Sequence, residues 1–191
     1  MMKVLAICSI LLMSAGCSIN HPIEDDYSRY LANNKGGFQL PETGYTAEYR
    51  IAPETLNHRH EFRAGTTGYA NLWIVEFGKI LEDTLQSDDV QAAFKSLSEA
   101  SEQSSDDVML MEFRLVDYKF EGFEARVRLH VKATRDGKMI LDKTYYKTGI
   151  SQGGKMFWAG AFGMKNAIQQ STKNAIDQIL YLALTDIKAS M

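Results

Sequence analysis

The sequence predicts an α+β two-layer sandwich, an antiparallel sheet with long meander strands covered on one face by two or three helices. Three observations carry that expectation. Phe123, Ala125, Val127, Leu129, Val131 and Ala133 alternate without a break with Glu124, Arg126, Arg128, His130 and Lys132, the two-residue period of a half-buried strand. The turn pairs Glu121-Gly122 and Asp136-Gly137 bracket that strand, so it should pair with a neighbour on each side. Ile168, Thr172, Ala175, Ile176, Ile179, Leu182, Ala183 and Ile187 then trace one helical face through a long C-terminal segment free of Pro and Gly.

Composition agrees with one ordinary globular domain. Of 191 residues 45% are hydrophobic and 24% charged, with three prolines, which excludes a disordered, collagenous or polytopic membrane chain. The formal charge of −3, one unit more negative if Lys3 is removed, argues against a nucleic-acid partner. Cys8 and Cys17 are the two cysteines, so the chain beyond residue 17 can form no internal disulfide, thiolate metal site or cysteine nucleophile.

The N-terminus has the layout of a secretory signal. Lys3 gives a positive start, Val4 to Met13 are apolar except for Ser9, and Ser14, Ala15 and Gly16 are small. Ten apolar residues rise about 15 Å as a helix, half of a hydrocarbon core, so the segment is too short for a stable span. Ala15-Gly16-Cys17 resembles the lipobox of bacterial lipoproteins, in which cleavage precedes a cysteine that then carries acyl chains; Ser14 stands where the family shows Leu, Val or Ile. The resemblance implies that residues 1–16 are a signal peptide and Cys17 a lipid attachment point. Two or three chains on one residue make a lasting anchor, since each buried methylene contributes about 0.8 kcal/mol. Ser18, rather than Asp, implies by the same resemblance a place in the outer membrane, with the domain facing the periplasm. The alternative is an ordinary signal that leaves an exported free thiol.

Residues 17–42 read as the lipidated cysteine and a flexible tether, because Pro22, Glu24-Asp25-Asp26, Asn33-Asn34, Gly36-Gly37 and Pro41 interrupt any apolar period. About 25 flexible residues would reach roughly 25–30 Å. Residues 43–191 should then be one domain. Tyr45, Ala47, Tyr49 and Ile51 alternate with polar residues up to Pro53, a first strand. After a polar loop through His58 and His60, Trp73, Phe77, Ile80, Leu81 and Leu85 share one face of a helix expected over 69–85. Ser87 reads as a cap for a second helix with Val90, Ala93, Phe94 and Leu97 on one face, followed by a solvated Ser/Glu/Asp-rich loop over 98–107.

The meander is expected at 108–120, 123–134 and 139–150. Met109, Met111, Phe113 and Leu115 form one face of its first strand, but Val116, Tyr118 and Phe120 have the opposite parity, which predicts a bulge near Leu115. In the third strand a two-residue loop would turn Ile140, Asp142 and Thr144 inward, and a three-residue loop Met139, Leu141 and Tyr145. Burying Asp142 without a partner is costly, so the second register is expected.

The strings that suggest catalysis lack the rest of their machinery. Gly149-Ile150-Ser151-Gln152-Gly153 matches a nucleophile elbow, yet no histidine follows Ser151 and the strand before it is antiparallel. Gly153-Gly154-Lys155 lacks the hydroxyl residue a phosphate loop places after its lysine. His58 and His60 with Glu61 have no nearby third imidazole for zinc. No catalytic residue, metal site or cofactor is therefore expected.

Two features suggest binding. Arg126, Arg128, His130 and Lys132 share the outward face of one strand, with Lys143 and Lys147 expected beside them, a surface that could attract an acidic partner or phosphate headgroups or simply be solvated. Residues 155–164 read K-M-F-W-A-G-A-F-G-M; Met156, Phe157, Trp158 and Phe162 either contact a lipid or protein partner or fold back onto the core. An edge strand over 46–50 or 139–150 would permit pairing between copies.

The order of Cys17, a tether, a strand, a helix, long strands with Asp136-Gly137-Lys138 between them, and a last helix through Asn174-Ala175-Ile176 resembles small envelope lipoproteins of the YajG type. It is also similar to the auxiliary lipoproteins of lipid-transport ABC systems. These resemblances imply a non-enzymatic accessory or scaffolding lipoprotein with an envelope protein partner. The alternative they imply is a lipid- or glycan-binding auxiliary component of an envelope transport system.

Overall fold

A computed structural model describes residues 18–36, 38–101, 108–152 and 160–190. The expected α+β sandwich is present, built on two sheets. The larger sheet contains β2 (Thr46–Ile51), β5 (Ser96–Glu99), β6 (Met109–Glu121), β7 (Glu124–Arg135) and β8 (Lys138–Gly149), in the order β5-β2-β6-β7-β8. The meander β6-β7-β8 is antiparallel, whereas β2 runs parallel to both β5 and β6. A smaller sheet has β4 (Asn71–Glu76) between β1 (Ile19–Pro22) and β3 (Arg59–Phe62). Among the described residues five α-helices complete the fold: α1 (Tyr27–Asn33), α2 (Pro53–Leu56), α3 (Phe77–Leu85), α4 (Asp88–Gln91) and α5 (Gly160–Ala189).

The core lies on one face of the large sheet. Val127, Leu129, Val131 and Ala133 of β7 point inward, as the alternation requires, against Ile168, Ala175, Ile176, Ile179 and Ala183 of α5. Phe77, Ile80, Leu81 and Leu85 of α3 belong to the same core. Arg126 and Arg128 stay exposed on the other face.

Both irregularities of the meander have a physical cause. In β6 the pairing shifts between Leu115 and Asp117, leaving Val116 as the extra, exposed residue and bringing Tyr118 and Phe120 inside. The Leu115 amide donates to Thr55 Oγ1 at 2.7 Å, so the buried α2 threonine supports the bulge. At the second hairpin Asp136 and Gly137 both have positive φ, 52° and 68°, the twist a two-residue connection needs. That loop length would put Asp142 inside. A register shift between Ala133 and Thr134 instead leaves Ile140 unpaired, so Leu141 and Tyr145 are buried and Asp142 exposed. The expected inward residues Leu141 and Tyr145 are correct; Met139 is exposed, and the loop is shorter than expected.

The segment expected to be a tether is part of the fold from residue 18 onward. β1 pairs with β4 in parallel, with Ile19 opposite Asn71 and Pro22 opposite Ile74. Ile23, Tyr27 and Leu31 are buried, as is Leu40. Their i, i+4, i+8 spacing is a helical stripe that the surrounding Pro, Asn and Gly residues obscure. Thr84 Oγ1 donates to the Ile80 carbonyl at 2.7 Å, so the Tyr27 hydroxyl is the donor in its 3.0 Å bond to Thr84.

Two other expectations fail for related reasons. Residues 71–76 form β4, and the expected helix over 69–85 begins only at Phe77. The run Leu72-Trp73-Ile74-Val75 is a buried strand, and Trp73 matched the helical face by coincidence of spacing. Likewise α4 ends at Gln91, and Leu97 sits in β5, where it pairs with Ala47. β2 is thereby an interior strand, and the edges are β5 and β8.

Candidate functional site

The uncovered face of the large sheet collects the cationic residues of β7, but it is not a uniform positive surface. Lys132 lies 3.0 Å from Glu112, which Arg50 also approaches at 3.7 Å, and Arg126 lies 3.6 Å from Glu121. His130 Nε2 is 3.2 Å from Asp142, while its Nδ1 shares a 3.1 Å hydrogen bond with Thr144. Arg128 stands over the exposed Tyr146 ring, 5.9 Å from its centroid. Cross-strand pairing therefore neutralises most of this face, which accords with a solvated sheet.

Lys143 and Lys147 do not join it. They stand opposite Val131 and Val127, hence on the helix-covered side of β8. Lys143 bonds Asp186 of α5 at 2.7 Å, and the Tyr145 hydroxyl donates to the same oxygen at 2.7 Å. The Lys143 ammonium, with help from Tyr145, holds the Asp186 carboxyl below its usual range. A shifted pKa here reflects a clamp between β8 and α5.

A cleft of about 310 Å³ opens at the other side of the outer face, where α2 meets the sheet. Ala52 and Pro53 form its apolar part, the Phe113 side chain being turned into the core, and Arg50, Glu112, Arg114, His130 and Lys132 surround them. Three more clefts, of about 260–330 Å³, follow the N-terminal segment where α1, Gly36 and residues 38–42 lie on α3, α4 and α5. All four lie at or below the low end of the usual small-molecule range, roughly 300–1,000 Å³.

Beneath that N-terminal segment is a buried ion cluster. Lys173 Nζ is 2.7 Å from Asp177 and 3.8 Å from Asp89, with the Lys173 and Asp177 side chains 7% and 6% exposed. Gly36 donates its amide to Asp89 at 3.0 Å. Burial raises the Asp177 carboxyl, although Lys173 opposes this, and burial with Asp177 nearby pushes Tyr30 up to about 12. The cluster was not legible in the sequence, because Asp89 and Lys173 are far apart along the chain.

Of the aromatic segment, Met156, Phe157 and Trp158 lie outside the described residues, as does Cys17. Phe162 is described, in the first turn of α5, and is 87% exposed. Among the residues weighed for catalysis, Ser151 donates its hydroxyl to the Phe123 carbonyl at 2.7 Å, closing the first hairpin against the end of β8. His58 and His60 pack edge-on against Tyr118, and burial lowers both imidazoles. Among the described residues, no three His, Cys, Asp or Glu side chains are placed to hold a metal ion.

No family model matches the sequence, and no curated protein does. The fold has a solved counterpart: protein XCC0632 from Xanthomonas campestris, of the family DUF330, superposes with a TM-score of 0.50 at 13% identity, over 82% of this chain and 91% of that one. The two chains share a fold, laid out over most of both lengths.

Proposed function

We propose that this chain is a lipid-anchored accessory or scaffolding lipoprotein of the bacterial envelope, held at Cys17 in the outer membrane with its domain facing the periplasm. It binds a protein partner through the uncovered face of the large sheet. The observation that carries this reading is the cleft between α2 and that face, where Ala52 and Pro53 adjoin Arg50, Glu112, Arg114, His130 and Lys132. Its size suits one or two side chains of a partner; Glu112 offsets Arg50 and Lys132, so Arg114, opposite His130, is the cation placed to meet an acidic group of that partner. Arg128 and Tyr146 extend the same face toward the open β8 edge, which offers backbone groups for strand addition. The lipobox-like Ala15-Gly16-Cys17 and the apolar run before it support the anchor.

Photocrosslinking of the acylated full chain in its native envelope tests the surface. A photoreactive residue at Arg114 or Tyr146 should give a discrete protein adduct, and charge reversal at Lys132 should abolish it. Only lipid adducts, or none, would overturn the reading.

A second reading has one observation in its favour. Phe162 is exposed at the start of α5, four residues after Trp158 in sequence, which suits a lipid- or glycan-binding auxiliary component of an envelope transport system. Reproducible co-purified lipid, lost on Trp158→Ala, would favour it over the scaffold.

A further inference from the structure

The folded domain begins immediately after the anchoring position. Ser18 is its first described residue and Ile19 already pairs in β1, its amide donating to the Ala70 carbonyl at 2.9 Å. Arg63 fixes this entry: its guanidinium donates to Ser18 Oγ at 3.1 Å and, through the other terminal nitrogen, to the Tyr69 carbonyl. The Cα of Cys17 is about 3.8 Å from that of Ser18, the spacing across any trans peptide. A thioether-linked diacylglycerol on Cys17 places its glycerol among the headgroups, so Ser18 must sit at about headgroup depth. With no tether to lift it away, this end of the domain meets the bilayer.

The surface around Ser18 has the chemistry for that contact. Ile19 is 54% exposed and Tyr69 75% exposed. Tyr69 lies over Gly65, in the turn Gly65–Thr67 that adjoins α5. The start of α5 carries Phe162, and Lys165 one turn further on bonds Asp26, past the Pro22 end of β1. Three exposed apolar or aromatic side chains thus accompany one arginine. Tyrosine and phenylalanine at an interface bury their rings among glycerol and upper acyl groups, while a guanidinium reaches phosphate.

We propose that Ile19, Arg63, Tyr69 and Phe162 form a membrane-contacting face, on which the domain rests against the headgroups of the same bilayer that holds its acyl chains. This rests on the reading of Cys17 as acylated. The anchor then sets an orientation as well as a location: the start of α5 lies at the membrane and its C-terminal end points away, about 45 Å distant for 30 residues. The second meander hairpin belongs to that far end, because Lys143 is bound to Asp186 near the C-terminus of α5.

The test uses the acylated full chain in vesicles of phosphatidylethanolamine and phosphatidylglycerol containing doxyl-labelled lipid. Environment-sensitive probes are attached one at a time at Tyr69→Cys, Phe162→Cys and, at the far hairpin, Met139→Cys; Met139 is itself 60% exposed. Probes at 69 and 162 should be quenched by the doxyl lipid at least roughly twofold more than the probe at 139, as expected for groups within 5–10 Å of the headgroup boundary. In the same samples, Arg63→Gln should reduce that difference. Equal quenching at all three positions in a protein whose mass shows the acyl chains would overturn the docking face and leave the anchor intact. A mass without acyl chains, unchanged in Cys17→Ser, would overturn the anchor and the docking face with it.

Discussion

Gly149 at the end of β8 lies directly on the backbone of Ser171 in α5. A Cβ at position 149 would fall on the Ser171 carbonyl oxygen, 2.8 Å from its carbonyl carbon and 2.6 Å from the Ala175 nitrogen. Backbone, unlike a flexible side chain, cannot move aside. Glycine is needed here for close approach, and its φ is not in the left-handed region.

Gly149→Ala should therefore destabilise by about 1–3 kcal/mol through forced separation of β8 from α5, and Gly149→Val by more. Gly122→Ala offers a contrast, with open space around its Cβ but a φ of 62°. Its cost should come only from the turn, about 1–2 kcal/mol. Chemical denaturation of both variants separates the two causes.

The N-terminal segment should prove essential for folding. Ile23 and Tyr27 are fully buried and β1 completes the smaller sheet, so a chain starting at residue 43 should lack a cooperative thermal transition, whereas one starting at 18 should retain it. Tyr27→Phe leaves Thr84 without its donor and should cost about 1 kcal/mol; Tyr27→Ala should cost about 3–5 kcal/mol by cavity formation. Circular dichroism melts suffice to check all four proteins.

Removing Lys173 should be more damaging than removing the pair. Lys173→Met leaves Asp177 buried without its cation and should cost about 3–5 kcal/mol, whereas Lys173→Met with Asp177→Leu should recover most of that loss. Asp89 keeps its bond from the Gly36 amide in both variants. Full recovery in urea titrations would identify the cluster as a specificity device; no recovery would mean that Asp89 depends on Lys173 more than its 3.8 Å separation suggests.

Acid should loosen the β8–α5 clamp while relieving the buried cluster. Asp186 has a folded pKa below its ordinary value, because Lys143 and Tyr145 bond its charged form, so its contribution is complete above the ordinary carboxylate value and is lost as pH falls through the folded one. Asp177 is raised by burial and has the opposite sign: its contribution is largest when the carboxyl is protonated and declines as pH rises from the ordinary value to the raised one. Carbon-detected titration should find Asp186 below and Asp177 above the usual range, and Lys143→Gln should move Asp186 upward without affecting Asp177.

The sequence by itself determined the α+β class, the meander, the bulge near Leu115 and the C-terminal helix. Each is written in a local period: two along β7, 3.6 along α5, and a parity change where Val116 intrudes. What only the tertiary structure decided depends on contacts between distant segments. Residues 71–76 became a strand because β1 and β3 pair with them on both sides, and β5 exists because β2 offers it an edge. The register of β8 was open in sequence, since a two-residue turn and an inward Leu141 look incompatible until Ile140 is bulged. Lys143 shares the parity of Leu141 and Tyr145, so the same register puts it on the helix-covered side, where it meets Asp186. The supposed tether joined the core because Ile23, Tyr27 and Leu31 bury enough apolar surface to offset the ordering of a chain rich in Asn, Gly and Pro, a balance no local pattern contains.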